Sequence, residues 1–388
     1  MNGKRDLKDG FIRADGPFEE NFQRMLSCYR GRGETRAVRP LRLVLVSILV
    51  TLLVCATALS FAGQTGALDF LFAPQEDLFF TYMTSYKNGV KGFVITGYFG
   101  QEGKVVIPDT IQRVPVSGIG AGAFARSMKV TSVTLPQSLV TIGDSAFFGC
   151  ENLAAVDFGD GMKLQNIGNS AFADCKSLTS LNFPEGLKNI GYLAFNGCTG
   201  LLSVTLPESL EGLGEGAFSD CEKLPAIRLP RGIRQVRGGL FAGCKGLENV
   251  GLPDGLEDIG ASAFYECRSL KSISLPEGLT QIPDYAFWRC DSLREVLFPE
   301  SLKNIGNFAF SWCAGLEQAV LPEGFTRLGM QAFAWCLSLE SLELPDSLTE
   351  IGQGAFSFCD LLTLRTGEGS AAQRYAQAQG IPLTIVRD

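Results

Sequence analysis

The sequence predicts a repeat solenoid of α/β type: about eleven coils of 23 residues, each giving a short parallel β-strand and a short helical turn to one shared core. Three observations carry this expectation. A phrase, A-F-x-x-C, keeps returning, as in AFFGC at 146–150, AFWRC at 286–290 and AFSWC at 309–313. Its phenylalanines, Phe124, Phe147, Phe172, Phe195, Phe218, Phe241, Phe264, Phe287, Phe310, Phe333 and Phe356, step by 23 residues except once, between Phe147 and Phe172. A fixed period of this size marks coils that bury their apolar residues only against the coils beside them. The third observation is an absence: 388 residues include 45 glycines and 28 phenylalanines but no histidine, so no triad or zinc site that uses histidine can form.

The chain divides, in order, into a basic tail over 1–42, a transmembrane anchor over 43–62, a linker over 63–77, an amino-terminal β cap over 78–109, the solenoid over 110–365 and a helix-strand cap over 366–388. Residues 1–42 hold ten Lys/Arg against six Asp/Glu, leaving 24 against 35 for the rest, so an acidic body follows a basic end. An acidic body has no electrostatic attraction for nucleic acid, which sets that class of partner aside. The tail lacks a sustained apolar period and reads as a cytoplasmic segment. Residues 43–62, LVLVSILVTLLVCATALSFA, are twenty in number without a charge, enough for a helix to cross about 30 Å of hydrocarbon. Arg24, Arg30, Arg32, Arg36, Arg39 and Arg42 precede the span, which predicts an inside amino terminus and an outside body. The competing reading is a signal peptide cleaved near Ala58 or Ala62; both readings export the body.

Before the repeats, FFTYMTS, GFVITGY and KVVIP predict three short strands between Phe79 and Pro108, with turns at Asn88-Gly89 and 101–103. One coil, Cys267 to Cys290, illustrates the rest. Ile273 and Leu275 alternate as inward residues of a strand, Pro276 lacks the N–H to continue a ladder, and Glu277-Gly278 turns the chain. Leu279 and Ile282 face in again. Asp284 then stands where its side chain can cap a helical turn holding Ala286, Phe287 and Cys290, and Asp144, Asn169 and Asn307 fill the same slot elsewhere. After the repeats, Ser370 is placed to cap a helix AAQRYAQAQ that Gly380 ends, with a final strand beyond Pro382.

The consensus L-x-x-V-x-L-P-x-x-L-x-x-I-G-x-x-A-F-x-x-C resembles the bacterial leucine-rich repeat of the BspA type over about residues 110–365. The resemblance implies an exported leucine-rich repeat solenoid, often on a cell surface, used for attachment or recognition rather than catalysis. The departures are local: Gly159 replaces a proline, Arg237 and Pro283 replace the glycine after Val236 and Ile282, and Ser127 replaces the first cysteine. These substitutions predict bends in individual coils.

The cysteine column comprises Cys150, Cys175, Cys198, Cys221, Cys244, Cys267, Cys290, Cys313, Cys336 and Cys359. Disulfides are the obvious reading for an exported chain. Coils in register repeat at roughly 4.8 Å, with parallel Cβ vectors, a poor match to the about 3.5–4.5 Å a bridge needs. The alternative is a small apolar filler whose S–H donates to a turn carbonyl. A straight column supplies no tetrahedral corner for zinc, and no cofactor is implied.

The two variable positions of A-F-x-x-C are expected to point outward, and they turn aromatic over five later coils as Tyr265, Trp288, Trp312, Trp335 and Phe358. Such a row can bind sugar faces or anchor a protein partner; the bland alternative is that the rings pack on one another as an outer layer. The strand-face column, from Thr134 and Asp157 to Val320 and Glu343, carries no readable code. Asp157 and Asp160, at the insertion, read as a solvated turn rather than a calcium loop. The functional expectation is a cell-surface recognition protein whose ligand outside the cell is a protein or a glycan, with a purely structural envelope role as the rival and no enzyme motif in sight.

Overall fold

The computed structural model describes residues 79–87, 90–159 and 161–386, which belong to one compact unit, Gln75–Asp388. The predicted tail, membrane span and linker, the Asn88-Gly89 turn and Asp160 lie outside the described residues. Among those described, no helix is long and apolar enough to cross a membrane.

Each coil has three sides. The first is a three-residue strand, such as Ser272–Ser274, whose middle residue points into the core. Val133, Leu181, Ile227, Ile273 and Leu342 all occupy this buried place. These strands pair in parallel and in register within short runs, Ile273 beside Val296 for example, and the ladder lapses between runs. The second side is a two-residue strand such as Asn304–Ile305, again parallel to its neighbours. The third side carries the A-F-x-x-C phrase.

The ends extend the ladders, and a helix also covers the carboxyl-terminal end. At the amino terminus β1 (Phe80–Lys87) and β2 (Val90–Tyr98) form an antiparallel hairpin, and β3 (Lys104–Val106) pairs with Ser132–Thr134 as an extra strand of the first side. A two-residue strand β4 (Thr110–Ile111) pairs with β5 (Val114–Ile119), which joins β2 to the second side. At the carboxyl terminus Thr363–Thr366 and Leu383–Ile385 prolong the first side, on either side of helix α1 (Ala371–Gln379). The result is a solenoid of about 13 turns. The Ser370 hydroxyl accepts from the Gln373 N–H at 3.0 Å and Gly380 takes the left-handed conformation, so the helix starts and stops where its caps dictate.

The third side corrects the expected helical turn. Its residues form consecutive tight turns in which the backbone alternates hand: Ser145, Leu193, Tyr285 and Phe308 have φ between 51° and 58°. A helix would need negative φ throughout. Every second N–H instead donates to the following coil, Phe124 to the Ala146 carbonyl (2.7 Å) and Arg126 to the Phe148 carbonyl (2.7 Å), while the intervening ones close turns onto the third residue back. The Asp/Asn slot is corrected with it. Asp284 Oδ1 accepts from the Asn307 N–H (2.7 Å) and Asn307 Oδ1 from the Met330 N–H (2.8 Å), so each side chain serves the next coil rather than capping its own.

Inside, the eleven phenylalanines stack as one column with centroids 4.8 to 6.3 Å apart. Glycine after the two-residue strand is what lets the coils close. A Cβ built on Gly191 would lie 2.6 Å from the Gly168 carbonyl carbon, and the Gly191 N–H donates across that gap to Ile167 at 2.8 Å. Arg237 and Pro283 break this contact. The second side is interrupted between Gly212–Leu213 and Gln235–Val236 and again between Asp258–Ile259 and Gln281–Ile282. Proline has no N–H to give and arginine brings the Cβ that the gap excludes. The widest phenylalanine spacing, 6.3 Å, falls between Phe218 and Phe241, at the first of these breaks.

A candidate binding strip on the turn edge

The alternating backbone hand sorts the two variable positions of A-F-x-x-C. The first packs inward: Ala173, Asn196, Ser219, Ala242, Ser311 and Ala334 are buried, and Trp288 is only 9% exposed. The second sits at positive φ in Glu266, Arg289, Trp312, Trp335 and Phe358 and turns outward, to 55% exposure at Phe358. The expectation that both positions point away from the core is thus corrected.

The five aromatic residues consequently fall into two rows. Tyr265 stacks on Trp288 at the first position (centroids 4.6 Å, planes 13° apart). Trp312, Trp335 and Phe358 stack at the second, at 4.6 and 3.9 Å. Arg289 joins the rows, its guanidinium 5.4 Å from the Trp288 ring centre and 5.9 Å from that of Trp312. Glu266, one coil back, holds Arg289 (3.4 Å) and Arg268 (2.9 Å). Burial pushes the Asp291 carboxyl up, against the pull of Arg289 and Arg268. Among the described residues the buried Nε atoms of Arg268 and Arg289 have no hydrogen-bond partner, and each guanidinium is held through its terminal nitrogens.

Within each row neighbouring rings cover one another's facing sides, and Phe358, at the end, is the most exposed of the five. Sequence reasoning missed the Glu266, Arg268, Arg289 and Asp291 group, and a second stack of Tyr285 on Phe308 at 5.0 Å. The signal was available. Residues one period apart become neighbours, and Glu266 with Arg289, like Lys245 with Glu222 (2.6 Å) or Lys271 with Glu248 (2.5 Å), are opposite charges 23 residues apart. On the strand face, Leu297 and Val320 stand exposed on adjacent coils.

All ten cysteines of the column are free. Cys150 to Cys336 are buried and Cys359, at the end, is partly exposed. Each thiol donates to the carbonyl of the phenylalanine 26 or 28 residues earlier, Cys150 to Phe124 at 3.0 Å and Cys290 to Phe264 at 3.3 Å. Burial pushes Cys150 up to about 11 and raises Cys198 further. At the insertion, Asp157 Oδ1 accepts from the Gly159 N–H at 2.9 Å, a local turn. Among the described residues no group of His, Cys, Asp and Glu could hold a metal ion.

Comparison with known proteins follows the same lines. The chain is similar to a leucine-rich repeat protein of T. pallidum (37% identity over 51% of this chain and 90% of that one, TM-score 0.48). It is similar to another from Bacteroides ovatus ATCC 8483 (28% identity, 79% and 98% covered, TM-score 0.45). The pneumococcal vaccine antigen PcpA shares the fold (18% identity, 80% and 98% covered, TM-score 0.51). No curated protein matches. The BspA type leucine-rich repeat profile matches residues 117–248 and 239–363, in 6 copies. With that profile spanning most of the chain and its consensus glycine, phenylalanine and cysteine explained by close coil contact, a stacked column and a thiol ladder, the chain belongs to the BspA-type leucine-rich repeat family.

Proposed function

We propose that the chain is a recognition scaffold that holds a protein partner outside the cell, with residues 43–62 as its membrane anchor. The basic lead before the uncharged stretch supports export. One observation carries the choice of partner: the rings of the strip cover one another. A sugar platform needs open ring faces, whereas Trp288, Trp312 and Trp335 have theirs occupied by neighbouring rings or by Arg289. Aromatic edges carry partial positive charge, and with the Arg289 guanidinium they suit the carbonyls, carboxylates and aromatic faces of a protein surface. The strip is pre-ordered by stacking, so it adds little ordering cost on this side of a complex. A catalytic role draws no support from this geometry.

The test is capture of surface proteins from neighbouring cells by the full chain and by a Trp312→Ala/Trp335→Ala variant, with a glycan array run alongside. The expected result is a protein retained by the parent and lost at least tenfold by the variant. Glycan binding that disappears in the variant, without any protein captured, overturns the reading.

A further inference from the structure

The turn ladder ends without a partner. In every coil from Gly122 to Trp335, three alternate N–H groups of the turn donate to the next coil; the last such set, from Gln331, Phe333 and Trp335, donates to the carbonyls of Gln353, Ala355 and Ser357. The final turn repeats the same backbone, with Gly354 and Phe358 both at φ 63°. Its own three donors, the N–H groups of Gly354, Phe356 and Phe358, have no acceptor among the described residues. Helix α1 covers the core end, Tyr375 lying edge-on to Phe356 at 5.9 Å, but it contributes no carbonyls to this row. A row of N–H groups pointing one way is an unsatisfied edge, and backbone donors are seldom left so. Beside it, Phe358 stacks on Trp335 with one face and no ring covers its other face, while Leu361 is 60% exposed.

We propose that this edge docks a segment of a protein partner, whose alternate backbone carbonyls accept from Gly354, Phe356 and Phe358, as those of Gln353, Ala355 and Ser357 do for the coil before, and whose apolar side chain packs on Phe358 and Leu361. The mode extends the turn ladder as strand addition extends a sheet: backbone bonds give affinity and the flanking apolar contact gives selectivity. The proposal rests on the protein-recognition reading and assigns it a second contact, at the end of the aromatic strip.

The experiment selects a random twelve-residue peptide display library on the full chain in detergent micelles, then follows amide exchange by mass spectrometry with a selected synthetic peptide. The amides of Gly354, Phe356 and Phe358, resolved by fragmentation, are expected to exchange fast in the free chain and at least tenfold slower with peptide, while those of Gly352, Ala355, Ser357 and Cys359, already bonded, change little. Phe358→Ala and Leu361→Ala, both at exposed positions, are expected to weaken that peptide at least tenfold without altering the melting curve. Protection of the Gly354, Phe356 and Phe358 amides in the free chain, or peptides that protect only other segments, overturns the docking edge and leaves protein recognition standing. A library that yields nothing while a whole surface protein is still captured does the same. Failure of both peptide selection and capture removes the parent reading as well.

Discussion

Replacing Gly191 by alanine should open the solenoid locally, and the cost can be worked from the gap it fills. The added Cβ would lie 2.6 Å from the Gly168 carbonyl carbon and 2.7 Å from the Asn169 nitrogen, both backbone atoms that cannot swing aside. Relieving that overlap moves one coil away from the next, at about 1–3 kcal/mol for overpacking. It also stretches the 2.8 Å bond from the Gly191 N–H to Ile167, worth about 0.5–1.5 kcal/mol. Loss of glycine's freedom in the unfolded chain returns about 0.4–1 kcal/mol, so the net expected loss is about 0.5–4 kcal/mol, centred at about 2 kcal/mol. Arg237→Ala is the matched control, because that slot already carries a Cβ, is exposed and has no ladder bond to lose; its effect should stay within about 0.5 kcal/mol. Urea unfolding of residues 75–388, followed by circular dichroism, compares the two. Equal stabilities for Gly191→Ala and Arg237→Ala would refute the close-contact account of the glycine column.

Eight column thiols, Cys150, Cys175, Cys198, Cys221, Cys267, Cys290, Cys313 and Cys336, are raised chiefly by burial. The folded chain therefore keeps protons that the unfolded chain gives up near pH 9, and stability should fall as pH rises above that value. Cys150 alone, moved from 9.0 to about 11, accounts for roughly 2 kcal/mol by pH 11. These eight should contribute thiolate absorbance at 240 nm near pH 9 in urea but only with unfolding in buffer; a rise near pH 9 in the folded chain as large as in urea would contradict this. Mass mapping after brief alkylation should find Cys359 labelled first, since it alone of the column is partly exposed. Phe287→Ala should cost about 3–5 kcal/mol in the same urea assay, because that ring is fully buried between Phe264 and Phe310 at 5.1 and 5.0 Å.

Much of the fold was legible because a period of 23 converts sequence distance into spatial adjacency. Inward residues, the cysteine column and the charge pairs all follow from that one number. What the period does not reveal is backbone hand. Ser145, Leu193, Tyr285 and Phe308 adopt positive φ although none is glycine, and nothing local in those residues announces it. The helical turn was therefore expected where consecutive tight turns stand. The same hidden alternation split the aromatic residues: Trp288 and Trp312 differ by one place within the phrase, and that single place decides whether a ring packs inward or outward. The three N–H groups at the end of the ladder were beyond sequence reasoning altogether, since they become conspicuous only when every earlier set is seen to be paired.

The break at Pro283 gives the strip a mechanical meaning. On its second side the solenoid has a seam between the coils of Ile259 and Ile282, where no ladder bond crosses. The same two coils are clasped on the turn edge by Tyr265 on Trp288 and by Glu266 on Arg289. Bending at that seam is resisted on the turn edge by these side chains together with the N–H groups of Ser262, Phe264 and Glu266, so a partner that engages Arg289 would bear on how stiffly the solenoid transmits a pull from one end to the other.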